Sequence, residues 1–115
     1  MIYTSYFAKM RKMTPEQQVK CMSIARYTPR GVRIPINTML APKWDILKKY
    51  KVDNDMNAFA RAYKEQLSAH DPAKVAKTMD GRILVCYEKI GDFCHRHILA
   101  RWLRDNGYEC EELAL

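Results

Sequence analysis

The sequence predicts a single small α/β domain over residues 1–115, built on an open, mostly parallel sheet flanked by helices. Three observations predict it. Short β-branched and aromatic runs alternate with stretches of helical periodicity, the order that sets parallel strands beside crossover helices. One run, Ile83-Leu84-Val85, is apolar without interruption, as a strand covered on both faces must be. The 115 residues are 48% hydrophobic and 29% charged, ordinary values for one globular core, and no repeat or linker divides them.

Each element has a local reason. Residues 2–7, rich in β-branched and aromatic side chains, read as a first strand. Thr14, Pro15 and Gln17 then spell a helix start, with a hydroxyl cap, a proline in the first turn and an amide three residues after the cap. Val19, Cys21, Met22 and Ile24 mark a second strand over residues 19–25, which stops at Arg26. Residues 26–42 hold Pro29, Pro35, Pro42, Gly31 and three arginines, and read as a long loop of the kind that carries function. A short helix is expected at residues 44–50. Met56, Phe59, Ala60, Tyr63 and Leu67 recur at helical spacing, and Asp71 with Pro72 opens a third helix bearing Val75 and Met79. Residues 82–87 form the strongest strand, expected at the centre of the sheet. Asp92 is the expected cap of a helix from Phe93 to about Asn106, ended by Gly107, and residues 108–113 return as a terminal strand.

Composition narrows the function classes. No apolar run approaches the roughly 20 residues of a membrane-spanning helix, and Lys9, Arg11 and Lys12 follow the first apolar stretch, the reverse of a secretory signal. A cytoplasmic protein is expected, monomeric or homodimeric. In that compartment thiols stay reduced, so Cys21, Cys86, Cys94 and Cys110 are expected to be buried, catalytic or metal-binding rather than paired. Twenty Lys and Arg against 13 Asp and Glu leave a charge of +7, which favours a phosphate-bearing partner such as a nucleotide or nucleic acid. Solubility is the plainer use of that charge.

Ligands of parallel α/β sheets bind beyond the carboxyl ends of the strands. There the sequence gathers its chemistry: Cys86, Tyr87, Glu88 and Lys89 leave the central strand, and Cys94, His95 and Arg96 open the next helix. Ile98, Leu99, Trp102 and Leu103 define that helix's buried stripe, with His95 on it and His97 turned to solvent. A helix N-terminus attracts anions and stabilises a thiolate, so the thiol, imidazole and guanidinium are expected to face one hollow. Cys86 or Cys94 is the expected nucleophile, with His95 or Glu88 as proton shuttle. Arg26, Arg30, Lys89 and Arg96 are the expected anion contacts, with Tyr3, Tyr6, Tyr27 and Tyr87 as stacking faces. The plain alternatives are a buried cysteine, a core histidine bonded to a carbonyl, and an Arg96–Glu88 ion pair. No CxxC pair occurs, and neighbouring Cys94 and His95 on a helix bite one ion poorly, so no metal is expected. Nor is a cofactor, since neither common glycine-rich phosphate loop is present.

The string LVCYEKIGDFCHRHILARWL at residues 84–103 resembles the C-terminal signature of the bacterial, archaeal and phage proteins grouped as domain of unknown function 488 (DUF488). That signature is a strand ending in Cys-x-Glu-Lys and a helix opening with Cys-His-Arg. Cys86, Glu88 and Lys89 match the first part, and Cys94, His95 and Arg96 the second. The resemblance extends upstream through SIARYTPRG at residues 23–31, LAPKWDILKKYK at residues 40–51 and AYKEQL at residues 62–67. It departs in the first strand, where many members carry an Ile-Gly-His-Ser turn and this chain has Thr4, Ser5, Tyr6 and Phe7. The resemblance implies a Rossmann-like domain with the cysteine and arginine motifs meeting at one edge, and it implies no reaction. Three functions therefore compete: binding or processing of a phosphate-bearing ligand, a phosphatase- or transferase-like cysteine enzyme, and a phage-encoded adaptor docking through residues 44–51. The compact Cys-x5-Arg loop of cysteine phosphatases is absent.

Overall fold

The computed structural model describes residues 1–87 and 94–114. Strand β1 (Ile2–Tyr6) runs into a 3-10 helix (Phe7–Lys12), then α1 (Pro15–Lys20) and β2 (Cys21–Ser23). Helices α2 (Trp44–Asp53), α3 (Met56–Ser68) and α4 (Pro72–Met79) follow the long loop, then β3 (Ile83–Cys86), α5 (His95–Asp105) and β4 (Cys110–Glu112).

The sheet order is β2-β3-β1-β4, and every pairing is parallel. The expected α/β architecture is present, with β3 one of two inner strands. Parallel pairing sends all four carboxyl ends to one edge, where Tyr6 stands opposite Cys86. Alternation assigns the faces. Ile2, Leu84, Cys86 and Cys110 point to the larger core, filled by Phe59, Tyr63 and Leu67 of α3 and by Leu99 and Leu103 of α5. Ile83 and Val85 point to a smaller core under the 3-10 helix and the long loop, with Phe7, Met13 and Cys21. All four residues of β3 are therefore buried, as its apolar run requires.

The helix starts follow their caps. Thr14 and Gln17 exchange the reciprocal hydrogen bonds of a capping box, and Asp55 and Asp71 accept from Ala58 N and Ala73 N. Gly107, at φ 88°, takes the left-handed turn that ends α5. Several boundaries differ from expectation. Val19 is 76% exposed and lies in α1, which runs to Lys20, so β2 is only three residues long. Phe7 turns out of the sheet into a 3-10 helix, whose apolar side mimics a strand in sequence. Helix α2 continues past Tyr50 until Asn54 adopts a left-handed φ of 51°. Asp92 and Phe93 lie outside the described residues, and the residue preceding His95 at the α5 cap is Cys94.

The long loop is tied down by a backbone bridge and by side chains. Ile36 bridges to Ser23, Tyr63 donates its hydroxyl to the Leu40 carbonyl, and Arg26 donates twice to the Pro42 carbonyl. Gln66 donates to the carbonyls of Ala41 and Met39 and accepts from Lys43 N. Among the described residues no helix is long and apolar enough to cross a membrane.

Candidate functional site

Two local conformations bring the reactive groups together. Cys86 is the last residue of β3, on the face that looks toward α5. Cys94 is the cap of α5 and has extended backbone, φ −150° and ψ 142°, rather than helical. Its side chain is thereby released from the helix's 100° spacing and turns back to the strand end. The sulfurs of Cys86 and Cys94 are joined as a disulfide across a sequence separation of eight. This corrects the expectation of four unpaired thiols for that pair. Spacing alone does not show that a strand end and a helix cap fold onto each other. Cys21 and Cys110 are free and buried, as expected.

Arg96 is completely buried. Its Nε and Nη2 donate to the two oxygens of Glu112, each at 3.0 Å, and its Nη1 donates to Cys86 Sγ at 3.1 Å. The guanidinium also lies 5.4 Å from the centre of the Tyr6 ring. Glu112 accepts a further bond of 2.7 Å from the Thr4 hydroxyl, its register partner across the β1–β4 pair. A buried guanidinium needs such a two-pronged partner to offset the loss of its hydration. The sequence suggests Glu88 or a bound anion as partners of Arg96, and Glu88 lies outside the described residues; it does not point to Glu112. The available signal was period two in the last strand, which puts Cys110 and Glu112 on one face.

His95 is on the buried stripe, as expected. Its Nε2–H donates to the Ile24 carbonyl, and its ring meets Tyr63 edge-on with centres 5.4 Å apart. Burial is the main reason its pKa falls to about 4; the hydrogen bond to Ile24 opposes the fall, and the Arg96 charge adds to it. The imidazole is therefore neutral near pH 7. Because Nε2 carries the proton, Nδ1 holds the lone pair, and it stands 3.8 Å from Cys94 Sγ. The ligand atoms of Cys86, Cys94 and His95 all lie within 4.8 Å of one another. The spacing objection to a shared ion assumed that Cys94 and His95 were both helical, and Cys94 is not.

The structure thus brings Cys86, Cys94, His95 and Arg96 into one buried cluster, with half-buried Tyr6 beside it. Tyr6 is half-buried between the Arg96 and Lys9 cations, and Tyr87 is half-exposed against the edge of Phe7. Arg26 is a brace for the loop, not a cluster member, and Arg30 is exposed. Tyr3 is half-buried, and Tyr27 is exposed against Trp44. His97 faces solvent, as expected. Glu88 and Lys89 lie outside the described residues.

An all-parallel sheet carrying a cysteine pair, a neutral imidazole and a buried guanidinium at its carboxyl edge defines a Rossmann-like protein with its polar groups at the topologically favoured edge. The family profile DUF488-N3a, described as the active DUF488-N3 subclade, matches residues 5–107. The chain belongs to the DUF488 family. No curated protein and no solved structure matches it.

Proposed function

We propose that this protein performs cysteine-dependent redox chemistry, with Cys86 and Cys94 cycling between dithiol and disulfide. One observation carries the proposal: the two sulfurs meet between a strand end and a helix cap while Arg96 Nη1 donates to Cys86 Sγ. A cationic N–H donor favours the thiolate over the thiol, and the N-terminal pole of α5 favours it at Cys94.

The pair divides its roles by access. Cys94 retains 3% exposure and Cys86 none, so Cys94 is the attacking thiol. Its thiolate attacks one sulfur of a substrate disulfide, forming a mixed disulfide and releasing the first thiolate of the substrate. Cys86, held by Arg96, then attacks Cys94 Sγ and releases the second. Two electrons and two protons pass from the protein dithiol to the substrate, which leaves as two thiols. Neutral His95 accepts a hydrogen bond from the Cys94 thiol through Nδ1 and orients it. Glu112 accepts from Arg96 Nε and Nη2, which favours the sulfur chemistry over an anion at that fork.

Dithiobisnitrobenzoate tests the proposal. Protein reduced with a phosphine and then freed of it is expected to release two equivalents of the aromatic thiol and to end as the Cys86–Cys94 disulfide. Cys86→Ser is expected to release one and keep the other on Cys94, located by peptide mass. A wild-type protein that releases none, or a Cys94 alkylated by iodoacetamide at about pH 6.5 no faster than an ordinary thiol, overturns it.

A further inference from the structure

We infer that the reduced form of the same cluster is a metal site in which Cys86 Sγ, Cys94 Sγ and His95 Nδ1 hold a divalent d10 cation of the zinc class. The inference rests on the cysteine-pair reading only to the extent that the disulfide must be reducible.

Geometry comes first. Ligand sulfur and nitrogen atoms around tetrahedral zinc stand about 3.6 Å apart, as bonds of about 2.3 and 2.05 Å require. Cys94 Sγ and His95 Nδ1 are already at 3.8 Å, and all three donor atoms fall within 4.8 Å. The required backbone is also in place, since extended Cys94 and helical His95 direct neighbouring side chains to one point.

The surroundings complete the site. Zinc-binding histidines usually donate their other ring N–H to a carbonyl or carboxylate, which fixes the ligand tautomer. The Ile24 carbonyl does this for His95 and leaves Nδ1 as the donor. Arg96 Nη1 supplies the outer hydrogen bond to the Cys86 sulfur, and its charge is matched by Glu112. Charge balance points the same way. Two buried thiolates carry two negative charges that the interior cannot solvate, and a divalent cation cancels them. The cluster then has two electrically neutral covalent states, a disulfide or a metal dithiolate, and reduction exchanges one for the other. A dithiol reductant is oxidised to its own disulfide as Cys86 and Cys94 become thiols, whose two protons pass to water when the cation binds. Three ligands among the described residues leave the fourth tetrahedral position for a further donor.

Cobalt(II) is the probe, with circular dichroism recorded first to show that the phosphine-reduced chain is folded. Reduced wild-type protein is expected to take one equivalent, with thiolate-to-cobalt charge transfer and tetrahedral d–d bands. Zinc(II) should displace it. The diamide-oxidised wild-type protein, an identical chain needing no substitution, is expected to give neither band. His95→Gln should weaken binding more than about tenfold, and Cys94→Ser should abolish the charge-transfer band. Binding by reduced protein no tighter than by oxidised protein, or binding without thiolate bands, overturns the inference. So does a reduced chain that loses its native spectrum and does not regain it with cobalt. The two proposals fail separately: disulfide exchange without cobalt binding removes only the metal site, and cobalt binding without exchange removes only the redox reading.

Discussion

Arg96 donates to Cys86 Sγ at 3.1 Å with both side chains sealed from solvent, and this contact couples the cysteine pair to the far edge of the sheet. From Cys86 at the end of β3 the chain of contacts runs through Arg96 of α5 to Glu112 of β4 and Thr4 of β1. Three strands and one helix thus meet at one guanidinium, so the same residue serves the fold and the sulfur.

Removing that guanidinium exposes the coupling. Arg96→Met should cost about 3–5 kcal/mol in urea unfolding, because it leaves the half-buried Glu112 carboxylate without its partner. Arg96→Lys keeps a charge but not the fork, and should recover only part of the loss. The double variant Arg96→Met/Glu112→Leu should recover much of it, since the Glu112 carboxylate is then not stranded. A single Arg96→Met variant within about 1 kcal/mol of wild type would show that the pair is incidental.

Much of this arrangement was legible in the sequence, for local reasons. The apolar run of β3, the periodicity of α3 and the caps at Thr14 and Asp71 each act over a few residues, and each holds. Placing Cys94, His95 and Arg96 beside Cys86 required only a strand, a turn and a helix. Glu112 was not legible as their partner, because its position depends on the β1–β4 register. The disulfide was hidden for a similar reason: the extended conformation of Cys94, which aims its sulfur at β3, is a property of the cap and not of the composition.

The two remaining thiols should be inert. Burial raises both Cys21 and Cys110 to about 11. About one molecule in a thousand then carries either thiolate at pH 8. Iodoacetamide at that pH should modify Cys94 of reduced native protein and spare sealed Cys86, Cys21 and Cys110 until urea is added. The linkage has a definite sign. A thiol whose folded pKa exceeds its unfolded value of 9.0 keeps its proton longer in the native state. Its contribution to stability is full below about pH 9 and is lost as pH rises through about 11. Urea midpoints measured along that range should fall, and equal alkylation rates for all four cysteines would contradict the assignment.

Gln66 should be the main clasp of the long loop. Its amide makes bonds of 2.7 and 3.2 Å to the carbonyls of Ala41 and Met39 and accepts one of 3.0 Å from Lys43 N. Gln66→Leu has nearly the same volume but strands these backbone groups, at a cost of about 2–4 kcal/mol. Trypsin should then cut at Arg33 and Lys43 faster than in wild type. Unchanged cleavage together with an unchanged urea midpoint would mean that Tyr63 and Arg26 hold the loop without it.

Reduction should leave the protein folded. A crosslink between residues eight apart removes little freedom from the unfolded chain, about 2.5 kcal/mol at 25 °C on the loop-entropy scale. A domain of this size has about 5–15 kcal/mol of stability, so the dithiol form should unfold at a lower urea concentration but cooperatively. The main core has much besides the sulfur bond to hold it: Leu84, Leu99, Leu103 and Tyr63 belong to the same buried cluster. Comparing urea curves with and without a phosphine measures the difference directly. A loss much above about 5 kcal/mol, or a reduced chain without a cooperative transition, would make the disulfide a structural staple and not a working pair.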